Sequence, residues 1–413
     1  MNSRERVLAA LNFEQPDRLP KDLGGMLSTG ISAFAYPGLV HALGLPWRRA
    51  KIHDTMQMLA LPDMDVLDAL GCDVVTIHEG MTNAFEQDIW NDYDFNGRLQ
   101  ARVRYPEKFS VREDGMIVQS EGATSYFRDT SDMFMPPQAY VFDKAHGGQP
   151  MDLSAELPKL DLDIFAEALK KGLYTEAEVE NLVSVCKKAR SSTDKAIFMS
   201  GKISSGIGIA SYYGIAIFPM LCMLEPDYVW KMHEIIIRHK TQQFEMLLPK
   251  IKDYIDVLMV AADDWGTQNS LVASGDTYRK LFLPFNRQIN QIVHSMAPNV
   301  KTFLHSCGAI YPLIDDFIET GFDIINPVQW SAGTNTVSQW KDKCRKRIAM
   351  WGGGVNSQIT LPYCSVKDIC DEIRKTVPIL ARDNGYIFNS IHNILAEIEP
   401  EKVIALYKTA SEF

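Results

Sequence analysis

Residues 300–308 read VKTFLHSCG, an apolar run that ends in a histidine and a cysteine two positions apart. Successive side chains of a β-strand alternate between its two faces, so His305 and Cys307 point the same way. Imidazole and thiolate suit a borderline-soft cation such as zinc, and two such groups on one strand would fix half of a tetrahedral site. On spacing alone, a buried thiol beside a hydrogen-bonded core histidine is the more common interpretation.

The same plan recurs along the chain: a short apolar run ends in Gly, Asn, Asp or His and is followed by a helix-like segment. Eight such runs occupy residues 18–23, 73–78, 196–200, 257–262, 302–306, 323–327, 347–351 and 386–390. The intervening segments carry apolar side chains at three- and four-residue steps, as on one face of a helix. Eight alternating strand and helix units within ~250 to 400 residues predict an α/β fold of the (β/α)8 TIM-barrel type.

One region, residues 95–142, breaks this rhythm. Its first residues alternate between polar and apolar side chains, and an Asp114-Gly115 turn precedes a further apolar run, which is typical of a β-meander. We therefore predict a single barrel domain over residues 1–413, with a β-meander insert after the second strand. Inserts in that position lie on the C-terminal face of a barrel, where their aromatic residues either cover the site or pack the insert. These residues are Tyr126, Phe127 and Tyr140.

The composition indicates an acidic, soluble protein. The 413 residues are 46% hydrophobic and carry a formal net charge of -10, which argues against a broad nucleic-acid-binding surface. Seven cysteines without a CxxC pair are expected to be reduced thiols in the cytoplasm, and the charged N-terminus does not resemble a signal peptide. The uncharged stretch 203–224 contains glycines, hydroxyl groups and Pro219, which favour a buried loop and helix over a membrane span.

Most polar candidates for chemistry follow the predicted strands at their carboxyl ends, which meet at the catalytic face of a barrel. They are Glu79, Asp263, Asp264, His305, Cys307, Asn326, Gln329, Asn389 and His392. Strand alternation lets only one of the two adjacent aspartates face the barrel axis, and either could instead cap a helix. His392 could stabilise a turn, but it is the best remaining soft donor near the axis.

The two ends of the chain resemble the uroporphyrinogen decarboxylase family. Residues 3–11 (SRERVLAAL) and 16–20 (PDRLP) are similar to its N-terminal signature. Residues 385–389 (GYIFN) with His392, followed by 400–403 (PEKV), resemble its last strand and final helix. The resemblance implies a (β/α)8 barrel, in agreement with the independent count of strands.

Two features separate this chain from the decarboxylases of that family. Those enzymes hold the acetate groups of a tetrapyrrole with arginines just after the first strand, and no arginine occurs here between Arg18 and Arg48. A glycine-containing segment, residues 24–30, stands there and cannot supply bidentate carboxylate recognition. The aspartate expected near the end of the second strand is also absent, although Glu79 lies close by.

The His-x-Cys-Gly sequence of His305, Cys307 and Gly308 instead resembles the zinc motif of corrinoid-dependent methyltransferases. Those enzymes take a third ligand, usually a cysteine, after the last strand, and His392 stands at the matching position. The residues that could replace it from neighbouring strand ends are Glu79, Asp264 and Gln329.

The resemblance implies a zinc-dependent methyltransferase that works with a corrinoid. The expected metal ligands are His305, Cys307 and His392. The expected catalytic acids or bases are Glu79, Asp263 and Asp264. The expected cofactor-binding residues are Asn326, Gln329 and Asn389.

We expect the methyl donor to be small, with a methoxylated aromatic favoured because the aromatic residues of the insert could cover a flat ring. No segment of the chain resembles a corrinoid-binding module, so a separate corrinoid protein is the expected partner. Three alternatives stay open: methyl transfer from a corrinoid to a thiol of the coenzyme M type, decarboxylation of a porphyrin-like acid, and corrinoid binding without catalysis.

Overall fold

The computed structural model describes residues 1–79, 85, 89–120, 132–143, 157–204, 206–210 and 213–413. The strands are β1 (Ile31–Ser32), β2 (Ala50–Asp54), β3 (Leu59–Ala60), β4 (Val74–His78), β5 (Asn91–Asp94), β6 (Gln100–Val103), β7 (Phe109–Val111), β8 (Ile117–Gln119), β9 (Met133–Met135), β10 (Ala196–Ser200), β11 (Val257–Ala262), β12 (Lys301–His305), β13 (Ile324–Asn326), β14 (Ala349–Trp351) and β15 (Tyr386–Ile387).

The helices are α1 (Ser3–Leu11), α2 (Tyr36–Ala42), α3 (Met64–Leu70), α4 (Leu162–Lys171), α5 (Glu176–Ser192), α6 (Gly214–Leu224), α7 (Pro226–Ile251), α8 (Gly275–Leu281), α9 (Leu283–Met296), α10 (Ile314–Thr320), α11 (Val337–Cys344), α12 (Thr360–Tyr363), α13 (Val366–Ala381) and α14 (Pro400–Ala410). None of the helices in the described part of the chain is long and apolar enough to cross a membrane.

Seven strands form one parallel sheet in the order β4-β10-β11-β12-β13-β14-β15. The segment around Lys21 closes it into a barrel, because Lys21 forms a parallel bridge with Phe388 on one side. On the other side the Asp73 amide donates to the Lys21 carbonyl at 2.7 Å. The predicted (β/α)8 fold is therefore confirmed: seven of the eight predicted runs are strands of this sheet, and the first, residues 18–23, joins it at Lys21.

Alternation along the strands places large apolar rings inside the barrel. Phe198, Phe303 and Trp351 point inward from β10, β12 and β14, and their ring centroids lie 4.8 to 5.9 Å apart in edge-to-face contacts. Such aromatic packing fills the axis of the barrel, as is usual for an eight-stranded barrel. The barrel interior is thus solid below its mouth, and any chemistry has to occur at the carboxyl ends of the strands.

The insert after β4 contains an antiparallel meander, β7-β8-β9, whose first turn includes Gly115 at φ +79°. Its first hairpin, β5-β6, is instead added to a second sheet, in which β6 pairs in parallel with β2. Alternation in the sequence indicates a strand but not its partner, so this pairing was not predicted. Tyr126 and Phe127 lie outside the described residues, and the Tyr140 ring packs against Phe34 at 5.1 Å.

Candidate metal centre

Three ligand-type side chains converge at the mouth of the barrel, where β11 and β12 end. The Cys307 sulfur lies 3.3 Å from His305 Nε2, and Asp264 Oδ1 lies 3.6 Å from the same nitrogen. All three ligand atoms lie within 4.8 Å of one another. Within the described residues, this is the group of imidazole, thiol and carboxylate that suits a divalent cation of borderline softness.

An irregularity in β11 decides which of the two aspartates joins this group. The pairing of β11 with β12 shifts between Met259 and Ala261, so that Ala262 is opposite His305. An extra residue in a strand reverses the faces of all residues after it, and Asp264 therefore points toward His305. Asp263 points away and accepts hydrogen bonds from the Ile209 and Ala210 amides.

The two aspartates consequently differ in environment. The Asp264 side chain is exposed, whereas burial raises the pKa of Asp263 to about 8, with a smaller contribution from the Asp264 charge. The prediction that only one of the pair faces the barrel axis agrees with this geometry.

A hydrogen bond at Nδ1 of His305 fixes the orientation and the tautomer of the ring. The Asn326 side-chain amide donates to the Trp351 carbonyl at 3.0 Å, so its Oδ1 remains as an acceptor. That oxygen lies 2.7 Å from His305 Nδ1, which assigns the ring hydrogen to Nδ1. The lone pair of Nε2 therefore faces Cys307 and Asp264. A hydrogen-bonded far nitrogen of this kind is typical of histidines that bind metals.

Ser28 is a part of this site that the sequence analysis missed. Its hydroxyl lies 3.0 Å from His305 Nδ1 and 3.2 Å from Asn326 Oδ1. Residues 24–30 contain no arginine, and nothing in the local sequence marks this serine as a neighbour of His305. The contact depends on the folding of the first loop over the barrel mouth.

The loop after Cys307 is shaped by close backbone contacts. The Cys307 amide donates to Asp264 Oδ1 at 2.9 Å, and the Gly308 amide donates to Gln329 Oε1 at 2.7 Å. Gly308 has φ +89°, and a Cβ there would lie 2.2 Å from the Gly266 carbonyl carbon. The glycine of the His-x-Cys-Gly sequence is thus required by the backbone that positions Cys307.

His392 lies near the group but is not one of its three members. Burial lowers the pKa of His392 to about 4, and the His305 ring lowers it further while the Asp264 carboxylate opposes the change. His392 is therefore neutral at physiological pH and lies within electrostatic range of both residues. Its role as a metal ligand stays a prediction.

Burial and the nearby Asp264 carboxylate raise the pKa of the Cys307 thiol well above its usual range. A bound cation would offset both effects by stabilising the thiolate, so the donor set fits a metal ion.

The structure does not bring every predicted residue to this group. Asn326, at the end of β13, contacts the His305 ring, and Gln329, in the loop that follows, accepts a hydrogen bond from the Gly308 amide. Asn389 is fully buried, and its amide donates to the Asp22 carbonyl at 2.8 Å and to the Thr29 carbonyl at 3.3 Å. These contacts hold the first loop in place, and cofactor binding by the three amides stays a prediction.

Glu79 leaves β4 on the side opposite His78 and is held by other groups. The Tyr174 hydroxyl donates to one carboxylate oxygen at 2.5 Å, and the Ile203 amide donates to the other at 2.7 Å. Burial raises the pKa of Glu79 to about 7, and these two hydrogen bonds partly oppose the rise. Its contacts connect β4 with the loop after β10, and a catalytic role stays a prediction.

Comparison with known proteins places these features in context. The model of the family described as Uroporphyrinogen decarboxylase (URO-D) matches residues 148–413. Two relatives are the uroporphyrinogen decarboxylases of Chloroherpeton thalassium, 26% identical over 187 residues, and of Chlorobium limicola, 24% identical over 171 residues. The alignments cover 42% and 40% of this chain, and 49% and 44% of the relatives, so the chain spans about half the length of the relatives it matches.

Among solved structures, a methyltransferase from Methanosarcina mazei is similar over 100% of this chain and 99% of its own length. The TM-score is 0.56 at 18% sequence identity. This likeness shows that the two chains share a fold.

The environment of Glu79 predicts a pH-dependent stability. Folding raises the pKa of Glu79 from 4.5 to about 7. The stabilisation that protonated Glu79 gives the folded state is therefore complete below pH 4.5 and is lost as the pH rises through 7. Between about pH 5 and pH 8, the free energy of unfolding of the wild type should fall relative to that of Glu79→Gln by up to about 3 kcal/mol. Chemical denaturation at both pH values measures this difference. The exposed control, Glu167→Gln, should show the same change in unfolding free energy with pH as the wild type. The same change in Glu79→Gln would contradict a raised pKa for Glu79.

Proposed function

Since the chain belongs to the uroporphyrinogen decarboxylase family, we propose that it is a zinc-dependent methyltransferase of that family. It moves a methyl group between a small donor, a methoxylated aromatic, and the cobalt of a corrinoid that a separate protein carries. The observation that carries the proposal is the group of Asp264, His305 and Cys307 at the mouth of the barrel. The similarity of His305, Cys307 and Gly308 to the zinc motif of corrinoid-dependent methyltransferases supports the reaction class.

Asp264, His305 and Cys307 would hold the metal through one oxygen, one nitrogen and one sulfur. A set of three protein ligands would be of the kind found at catalytic zinc sites. When bound, zinc supplies Lewis acidity that stabilises the oxygen losing its methyl group, an effect worth several kcal/mol in metal-assisted sites. The neutral His392 ring is within electrostatic range of Asp264 and His305, and it would donate a hydrogen bond to a bound substrate without adding charge.

Residues of this chain also prepare the ligands. Asn326 holds the His305 ring with Nε2 toward the metal position, and its own amide is fixed by the Trp351 carbonyl. The Gln329 side chain and the contact between Gly308 and Gly266 set the backbone that presents Cys307. Removal of a hydrogen bond that supports a metal ligand typically lowers metal affinity by roughly 10- to 100-fold.

The rival function is decarboxylation of a tetrapyrrole acid, the activity named for both relatives. Arg18 and Arg48 lie on either side of the first loop in the sequence, and both pair with aspartates outside the candidate metal centre. Arg18 pairs with Asp73, and Arg48 forms two hydrogen bonds with Asp65 at 2.8 and 2.7 Å. Several substrate carboxylates would meet a negatively charged protein and the Asp264 carboxylate at the mouth, which disfavours their binding.

Zinc analysis of the purified full chain tests the ligand set. Wild type should hold one zinc per chain. His305→Ala, Cys307→Ser and Asp264→Ala each remove one ligand atom, so each should lower the zinc occupancy by roughly tenfold or more. Asp263→Asn is the matched control and should retain zinc, since its side chain points away. Retention of zinc by Asp264→Ala together with its loss from His392→Ala would make His392 the third ligand.

The reaction is tested with a cobalt(I) corrinoid protein, zinc-loaded enzyme and a panel of methoxyaromatics. Absorbance of the methylated corrinoid should appear with wild type and should be lost with His305→Ala, because the activated oxygen loses its metal. Uroporphyrinogen is the control substrate and should not be turned over. Reaction of a methylated corrinoid with a thiol, without any reaction of the methoxyaromatics, would reverse the direction of transfer. Turnover of uroporphyrinogen instead would establish the rival function.

A further inference from the structure

The Ser28 hydroxyl connects the first loop, residues 24–30, to the ring of His305. Its oxygen lies 3.0 Å from His305 Nδ1 and 3.2 Å from Asn326 Oδ1, and these two atoms are 2.7 Å apart. Ser28 and Asn326 are both buried. Hydrogen bonds that are shielded from water are electrostatically stronger than those at a surface. The three side chains therefore form a closed polar triangle on the Nδ1 side of the His305 ring.

The hydrogen bonds within this triangle favour one state of the His305 ring. Asn326 Oδ1 can only accept, because the amide nitrogen of the same side chain donates to the Trp351 carbonyl. The Ser28 hydroxyl donates to Asn326 Oδ1, and its oxygen faces the His305 Nδ1 hydrogen. The opposite tautomer would place the Nδ1 lone pair 2.7 Å from the Asn326 oxygen with no hydrogen between them. Ser28 thus completes the contacts that direct the Nε2 lone pair toward the metal position.

The position of Ser28 is set by contacts of its own loop with the barrel. The Gly25 amide donates to Asp22 Oδ1 at 2.8 Å, and the Gly30 amide donates to Asn393 Oδ1 at 2.9 Å. The first loop is thus fastened on both sides of Ser28. A side chain that is fixed in advance loses little conformational entropy when the site binds its ligand. The first loop is therefore a preorganised support of the metal centre.

A metal ion would strengthen the contacts of Ser28. A cation at His305 Nε2 withdraws electron density from the ring, so the Nδ1 hydrogen becomes a better donor to Asn326 and Ser28. Because free-energy coupling is reciprocal, a loop that stabilises the metal-bound ring is itself stabilised when the metal binds. Metal binding and the stability of the first loop should thus be linked through one hydroxyl group.

We propose that Ser28 is a positioning residue for the metal centre. Together with Asn326 it holds the His305 ring with Nε2 toward the metal position, and it links the stability of the first loop to metal binding. This inference rests on the ligand set of the proposed function, Asp264, His305 and Cys307, and is independent of the methyl-transfer reaction.

Zinc affinity of the full chain, measured by competition with a chromogenic chelator, tests the positioning role. Ser28→Ala should lower the affinity by roughly tenfold, the lower end of the loss expected when a support of a metal ligand is removed. Thr29→Val is the matched control, because it removes a hydroxyl from the same turn that contacts the Met26 backbone at 3.0 and 3.2 Å. This control should keep the zinc affinity of the wild type.

Hydrogen exchange of backbone amides tests the link between the first loop and the metal. In the wild type, zinc should slow exchange of the Gly25, Gly30 and Cys307 amides. In Ser28→Ala, the effect of zinc on Gly25 and Gly30 should be lost, whereas its effect on Cys307 should remain. A merely structural role of Ser28 would speed exchange of the loop equally with and without zinc and would leave the zinc-dependent difference intact. Thr29→Val should show that second pattern.

Unchanged zinc affinity in Ser28→Ala, or zinc-dependent slowing at Gly25 and Gly30 that persists in that variant, would overturn the inference. The proposed function fails separately. Zinc binding that depends on Ser28, without methylation of a cobalt(I) corrinoid protein by any methoxyaromatic, would keep the positioning role and exclude the reaction. A wild type that binds no zinc would overturn both.

Discussion

Closure of the barrel at its first strand is the constraint on which the site depends. The backbone around Lys21 is hydrogen bonded to Phe388 on one side and to Asp73 on the other, so a sheet of seven strands becomes a closed barrel. Closure brings the ends of β11, β12 and β13 around one axis, and it directs the chain that follows Lys21 across the mouth. Ser28 reaches the site only because of this path.

The periodicity of the sequence was sufficient to predict the barrel and one half of the site. Eight apolar runs separated by helical patterns have few alternatives to a (β/α)8 fold, and strand alternation alone placed His305 and Cys307 on one face. The remaining parts depend on contacts between distant segments. The shift in β11 that turns Asp264 inward has no sequence signal, since a strand with one extra residue reads the same as a regular strand. The pairing of β6 with β2 and the contact of Ser28 with His305 also join residues far apart in the chain.

The polar groups at the mouth form one set of candidate metal ligands, and side-chain amides support that set from behind. Asp264, His305 and Cys307 present oxygen, nitrogen and sulfur toward one point, and Asn326 and Gln329 hold them there. This donor set suits a divalent cation of borderline softness.

X-ray absorption spectroscopy at the zinc edge tests the central claim most directly, because it counts the ligand atoms around the metal. The account predicts one sulfur at about 2.3 Å and a shell of nitrogen and oxygen atoms at about 2.0 to 2.2 Å. In Cys307→Ser, any residual bound zinc should show no sulfur at all. Two or more sulfur ligands in the wild type, or zinc bound by nitrogen and oxygen alone, would contradict the assignment of Asp264, His305 and Cys307 as the metal centre.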